Sequence, residues 1–283
     1  MMGRVADKVV AITGAARGQG RSHAVRLAEE GADIIAIDLC EDVEIAEYAM
    51  ATAEDLEETA RLVEKTGRRI VTRKADVRDY AAMKAAIAEG VAELGRLDSV
   101  IANAGISPIG QGRPVQAFTD TLDINLVGAI NTVHAALPHL AEGASIVVIG
   151  SAAGLIPGRG GNGPEGPGGA GYSFSKQTLA EYVNTLALQL AKSGTRVNAV
   201  HPSNCNTDML HSAPMYKTFR PDLENPTRED AELGFVAFQA MPIPYVEPSD
   251  VSHAVTYLVS DESRYVTGLQ LKVDGGALVK LGF

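Results

Sequence analysis

At 283 residues, 46% of them hydrophobic, the chain is long enough for one large α/β domain with the core of an ordinary soluble globule. Its formal charge of −10, with no Lys/Arg cluster of five or more, gives no footprint for a phosphate backbone and excludes a nucleic-acid partner. The two cysteines, Cys40 and Cys205, lie far apart without C-x-x-C spacing, which supports neither a disulfide framework nor a zinc site and fits a reducing, cytoplasmic compartment.

Residues 1–8 carry no apolar run ahead of a small-residue cleavage site, and no stretch approaches the ~18 apolar residues of a membrane span, so neither secretion nor membrane insertion is expected. From Lys8 onward, short apolar runs alternate with longer amphipathic segments. Residues 9–13 read as a buried strand and 20–30 as a helix with Val25, Leu27 and Ala28 inward. Strand 34–38 follows, then helix 53–65 capped by Thr52, strand 70–73, helix 80–94, strand 99–102, helix 118–137 and strand 144–149. A helix starting near Tyr172, strand 196–200, helix 248–259 and strand 269–273 complete the series. This alternation predicts the α/β class: a single-domain doubly wound fold with a parallel seven-stranded sheet and right-handed crossovers.

Three stretches break the rhythm. Residues 39–51 form a long acidic excursion after the second strand, where ~2 to 6 residues are ordinary. Residues 157–171 are dominated by Gly and Pro and read as a flexible loop. Residues 204–247 combine Met209, Leu210, Met215, Tyr216, Phe219, Phe235, Phe238 and Met241 with several prolines, which suits a small apolar lobe over a substrate.

Between the first strand and helix stands Thr13-Gly14-Ala15-Ala16-Arg17-Gly18-Gln19-Gly20. Glycines there let a backbone approach a pyrophosphate, which then meets free N–H groups at a helix N-terminus. Asp38 ends the second strand, where a carboxylate binds adenosine ribose hydroxyls. Arg17 is suited to the extra phosphate of NADP, but a carboxylate facing that phosphate repels it, so Asp38 predicts NAD.

Tyr172 and Lys176 are four apart at the start of a segment with apolar Leu179, Tyr182, Val183, Leu186 and Leu190, so on a helix they share one face. A phenol titrates near ~10 and must fall by about 2 to 3 units to serve as a base near neutrality. An adjacent ammonium is the expected device. The histidines other than His201, namely His23, His134, His139, His211 and His253, show no ligand spacing, and no metal is expected.

Taken in order, Thr13-Gly14-x3-Gly18-x-Gly20, Asp76-Val77, Asn103-Ala104-Gly105, Asn125, Ser151 and Tyr172-x3-Lys176 resemble the short-chain dehydrogenase/reductase family over nearly the whole chain. The 39–51 excursion and the runs 219–230 and 242–248 resemble its actinobacterial subgroup of carveol dehydrogenases and mycofactocin-coupled oxidoreductases. The resemblance implies an NAD-dependent alcohol dehydrogenase or ketone reductase acting on a hydrophobic, terpenoid-like or cyclic secondary alcohol. Tyr172 would exchange the proton, Lys176 would lower its pKa and hold the nicotinamide ribose, Ser151 would bind the substrate oxygen, and Asn125 would anchor a relay water. Cofactor contacts would come from Gly14, Arg17, Gly18, Gln19, Gly20, Asp38 and Leu39, from Asp76 and Val77 at adenine, and from Asn103, Ala104 and Gly105. Pro202, Cys205 and Thr207 would meet the nicotinamide, although His201-Pro202-Ser203 departs from the family's usual Pro-Gly. The subgroup further implies a cofactor that does not readily leave and a redox partner that re-oxidises it. The family implies a homotetramer, with residues 278–283 near an interface. A non-catalytic NAD-binding scaffold and an NAD-dependent epimerase or dehydratase are the alternative readings. The gap of 21 residues from Ser151 to Tyr172 is longer than the family's, so Ser151 reaches the site only if the glycine-rich stretch folds back.

Overall fold

Runs such as Val9–Thr13 and Leu97–Ala102 are buried at every residue, as strands covered on both faces must be. A computed structural model describes residues 3–158 and 165–283. In chain order it contains β1 Val9–Thr13, α1 Gly18–Glu29, β2 Asp33–Asp38, α2 Ala53–Glu64, β3 Ile70–Lys74, α3 Tyr80–Leu94 and β4 Leu97–Ala102. There follow α4 Gln116–Leu122, α5 Gly128–Ala136, β5 Leu140–Ile149, α6 Gly166–Leu190, β6 Arg196–Pro202, α7 Ala213–Phe219, α8 Arg228–Phe238, α9 Pro248–Val259, β7 Gln270–Val273 and α10 Ala277–Lys280. Among the described residues, seven strands pair in parallel in the order β3-β2-β1-β4-β5-β6-β7. The order reverses between β1 and β4, and a ligand crevice belongs outside the carboxyl ends of those strands.

One apolar cluster covers the face carrying α3, α5 and α6, with Ile87, Val133, Leu179 and Val183. A second covers the other face through Leu27 of α1, Leu56 of α2 and Val255 and Leu258 of α9. Thr52 caps α2 in a reciprocal box with Asp55, and Asp79 caps α3 through the N–H groups of Ala81 and Ala82.

The predicted helix 118–137 is divided: a π-helical stretch, Asp123–Val127, joins α4 to α5. The 204–247 lobe holds α7 and α8, whose Phe219 and Phe235 rings meet edge to face at 4.7 Å. The flexible-loop reading of 157–171 needs correction. Residues 159–164 lie outside the described residues, but Gly166 to Gly171 form the first turns of α6. Their glycines serve close approach. A Cβ on Gly168 would strike the Pro108 carbonyl, one on Gly166 the Gly110 carbonyl, and one on Gly171 would lie 2.7 Å from the Phe118 carbonyl oxygen. No helix among the described residues is long and apolar enough to cross a membrane.

Candidate active site

The turn after β1 is held open by Gly14 and Gly18, with φ of +66° and +54°, a region that only glycine enters without cost. Asn103, just past β4, fastens this turn: its amide donates to the Thr13 carbonyl at 2.9 Å and the Gly14 carbonyl at 3.2 Å. Thr13 Oγ1 in turn accepts the Asn103 N–H at 3.1 Å. Asp38 accepts the N–H of Ala16 at 2.9 Å and of Cys40 at 3.1 Å, which fixes its carboxylate at the mouth of the turn with acceptor capacity to spare. Asp76 is bound by Arg78 at 2.5 Å; burial pushes its pKa up, but the Arg78 hydrogen bonds outweigh burial and hold it below the usual range. Gly14, Arg17, Gly18, Gln19, Gly20, Asp38, Leu39, Asp76, Val77, Asn103, Ala104, Gly105 and Thr207 line one cavity.

The 39–51 excursion straps across that cavity. Val43, Ile45 and Met50 pack on the apolar cluster beneath, and Tyr48 turns inward to accept the Ser107 N–H at 3.1 Å. Glu47 pairs with Arg113 at 2.7 Å. Arg17 reaches the Ala49 carbonyl on the strap and Asp208 of the lobe at 3.1 Å, so its guanidinium bridges the two covers. Burial raises the Tyr48 pKa to about 12, which keeps the phenol protonated.

Beside it lies a larger cavity of about 350 Å³, lined by Ser151, Tyr172, Lys176, Pro202 and Cys205 on one side and by Met209, Leu210, Met215, Phe219 and Phe238 on the other. Gln19, Asn103, Gly105, Thr207 and Met209 line both, so the two are adjoining halves of one cleft. Ser151, two residues past β5, stands with Tyr172 in the lining of this cavity, close enough to act on the phenol. Lys176 and Tyr172 share a face of α6 as expected, with Lys176 Nζ 5.7 Å from the Tyr172 ring centre.

The expected lowering of the Tyr172 pKa by Lys176 is not what the structure shows. Burial raises the Tyr172 pKa, the Ser151 hydroxyl opposes the rise, and Cys205 and then Glu165 add to it. Lys176 instead donates to the Ile149 carbonyl at 2.7 Å, and burial brings its own pKa down to about 8. Taking an ammonium out of water costs enough that it seeks the nearest acceptor, here a main-chain oxygen. Asn125, in the π-helical stretch, lines neither cavity; its side chain accepts the Ile106 N–H and donates to the Ile106 carbonyl, both at 2.8 Å. It braces the segment after β4.

Sequence reasoning missed Tyr48, Ser107, Ile109, Glu165 and Ser173, which also line the cleft. For Tyr48 a signal was present: Tyr48-Ala49-Met50 is an apolar run inside an acidic segment.

The parallel sheet, the glycine turn at its switch point and the Ser-Tyr-Lys group beside it define a dinucleotide-dependent oxidoreductase. A family model described as enoyl-(acyl carrier protein) reductase matches residues 14–277, and the chain belongs to the short-chain dehydrogenase/reductase family. It is 44% identical to (−)-trans-carveol dehydrogenase of Rhodococcus erythropolis over 99% of this chain and 100% of that protein. A crystal structure of carveol dehydrogenase from Mycobacterium avium in complex with NAD matches with a TM-score of 0.92 at 46% identity, covering 98% of this chain and 99% of that one. A short-chain dehydrogenase from Mycobacterium paratuberculosis bound to NAD matches with a TM-score of 0.85 at 38% identity, covering 97% and 99%.

Proposed function

We propose that the protein is an NAD-dependent dehydrogenase of hydrophobic secondary alcohols, of the terpenoid or cyclic kind, working equally as a ketone reductase. The observation that carries this is the convergence of Ser151, Tyr172 and Lys176 where the glycine-turn cavity meets the methionine- and phenylalanine-lined one. The cradle suits a dinucleotide: Cβ atoms at Gly14 or Gly20 would crowd Ala104 and the Gly14 carbonyl, so both glycines keep the turn tight. Asp38 at its mouth favours NAD, and Arg17, committed to Ala49 and Asp208, is not free to recruit an additional phosphate.

When bound, NAD supplies the hydride acceptor for oxidation and, reduced, the donor for reduction. The chain handles the proton. Tyr172 takes the hydroxyl proton of the alcohol as its carbinol hydrogen leaves, Ser151 holds the substrate oxygen beside the phenol, and Lys176 provides a cation on the same face of α6. The relay water that the family resemblance implies for Asn125 would have to be held by its main chain, since its side chain is engaged by Ile106. Tyr172→Phe tests the reading: turnover of carveol should vanish while NAD binding persists, and retained turnover would sink the assignment.

A second feature supports a cofactor that leaves slowly. The strap is fastened through Tyr48 and Glu47 to Ser107 and Arg113 in the segment after β4, and through Ala49 to Arg17 in the glycine turn. Exhaustive dialysis followed by acid denaturation should release near-stoichiometric NAD, detected by mass spectrometry; an empty protein contradicts retention. A retained cofactor requires a redox partner to re-oxidise it in place. Apolar Val127, Phe174 and Leu188 are exposed on and beside the α4 to α6 helices, which supports a homotetramer, and both cysteines are free thiols, which suits the cytoplasm.

A further inference from the structure

His201 stands one residue before the end of β6, fully buried, directly behind the Gly150-Ser151 turn that closes β5. Gly150 is what admits it, because a Cβ there would run into the imidazole. On the far side of the ring, Nε2 lies 2.7 Å from Gln270 Oε1. The Gln270 amide nitrogen donates to the Ala180 carbonyl at 3.1 Å and to Asn184 Oδ1 at 3.0 Å, both on α6.

These contacts fix the tautomer. A main-chain carbonyl only accepts, so Ala180 orients the Gln270 amide with its nitrogen toward α6 and its oxygen toward the ring. An oxygen opposite Nε2 requires the proton there, and a neutral imidazole then presents the Nδ1 lone pair. The donor in reach of Nδ1 is the Ser151 N–H, at 3.2 Å. Nδ1 also lies 3.0 Å from the Ser151 carbonyl oxygen, a contact that becomes a hydrogen bond only in the imidazolium. Burial disfavours that charge most strongly; Gln270 and the Ser151 backbone oppose it in part, and Lys176 and Lys272 add smaller effects in the direction of burial.

We propose that His201 is a positioning residue that sets Ser151 for hydrogen-bonding the substrate oxygen, with its tautomer dictated by Gln270; this rests on the role of Ser151 proposed above. The consequence is a two-point register. Helix α6, which carries Tyr172, holds one side of the β5 terminus through Lys176 and Ile149, and the other through Gln270, His201 and Ser151. Ser151 and Tyr172 are thereby fixed relative to each other although they stand 21 positions apart.

The test is a double-variant cycle on carveol oxidation with NAD, with thermal unfolding and NAD content followed alongside. His201→Leu should lower kcat by about ten- to a hundredfold, the scale on which small misplacements of a reacting group act, and leave NAD content unchanged. His201→Asn, whose amide oxygen can replace the Nδ1 acceptor, should restore most of the loss. In a Ser151→Ala background His201→Leu should cost little more, because it acts through the residue already removed. Should His201→Leu fail to fold, Gln270→Met leaves the ring in place, frees its tautomer, and is expected to follow the same pattern. Undiminished kcat in a folded His201 or Gln270 variant, beside a crippled Ser151→Ala, overturns the positioning role alone, as does a full multiplicative loss in the double variant. Undiminished kcat in Ser151→Ala, or no carveol turnover in the unaltered protein, overturns the reading beneath it and the positioning role together.

Discussion

The Lys176 ammonium donates a 2.7 Å hydrogen bond to the Ile149 carbonyl at the end of β5, even though burial holds its pKa at about 8. The residue that sequence logic assigns to Tyr172 is therefore also a tie between a helix and the sheet. Lys176→Met should lower kcat at least a hundredfold and leave the Ile149 carbonyl unpaired, at a stability cost of about 1 to 3 kcal/mol.

That tie has a pH signature. The folded pKa of about 8 lies below the ordinary 10.5, so between these values the unfolded chain keeps a proton that the folded one has released. Lys176 thus contributes a term that makes stability rise with pH across this window, by at most about 1.4 kcal/mol per unit. Denaturant unfolding at both ends of the window should show the unaltered protein gaining on Lys176→Met as pH rises; a constant difference contradicts it.

The Ser151 hydroxyl beside the Tyr172 phenol opposes the upward push of burial. Its removal in Ser151→Ala raises the Tyr172 pKa further. The acid limb of kcat/KM for alcohol oxidation should accordingly move to higher pH, and kcat should fall by about 10²-fold. An unmoved limb would mean that the limb reports some other group.

Arg17 fastens both covers of the cleft, the Ala49 carbonyl on the strap and Asp208 on the lobe. Arg17→Ala should speed NAD loss by about tenfold, the factor equivalent to ~1.4 kcal/mol, with little change in melting temperature because these contacts lie at the surface. Nucleotide remaining after timed gel filtration measures it, and equal retention in both proteins speaks against the latch.

Gly168 discriminates close packing from flexibility. In a loop, Gly168→Ala would be neutral or stabilising. Against the Pro108 carbonyl it forces backbone to shift and should cost about 1 to 3 kcal/mol, read by denaturant unfolding.

Such positions mark the boundary of what the sequence carries. Strands like Val9–Thr13 and the helix Tyr80–Leu94 are local matters of apolar runs and an Asp79 cap, and the expected limits match the observed ones. Tyr172 and Lys176 share a face because helical periodicity alone puts them there. The glycines of 166–171 read as a loop because glycine marks a flexible loop and a tight contact with the same letter, and the surfaces that decide, Pro108, Gly110 and Phe118, lie more than fifty residues upstream. Lys176 was assigned to its nearest neighbour on the helix, whereas its hydrogen-bond acceptor, Ile149, arrives from another strand. The contacts of Tyr48 and His201 are illegible for the same reason: Ser107, Ser151 and Gln270 reach them only through the fold.

Hydride transfer from a carbinol carbon to nicotinamide is open to test in a single turnover, whether or not the cofactor exchanges. Carveol deuterated at the carbinol carbon would be mixed with stoichiometric NAD-loaded protein, quenched, and the nucleotide weighed by mass spectrometry. The account predicts NADH carrying one deuterium, together with the ketone, and neither product from Tyr172→Phe. Nucleotide that stays oxidised and unlabelled, with the deuterium still on or returned to the alcohol, would contradict it and leave a binding scaffold or an epimerase in its place.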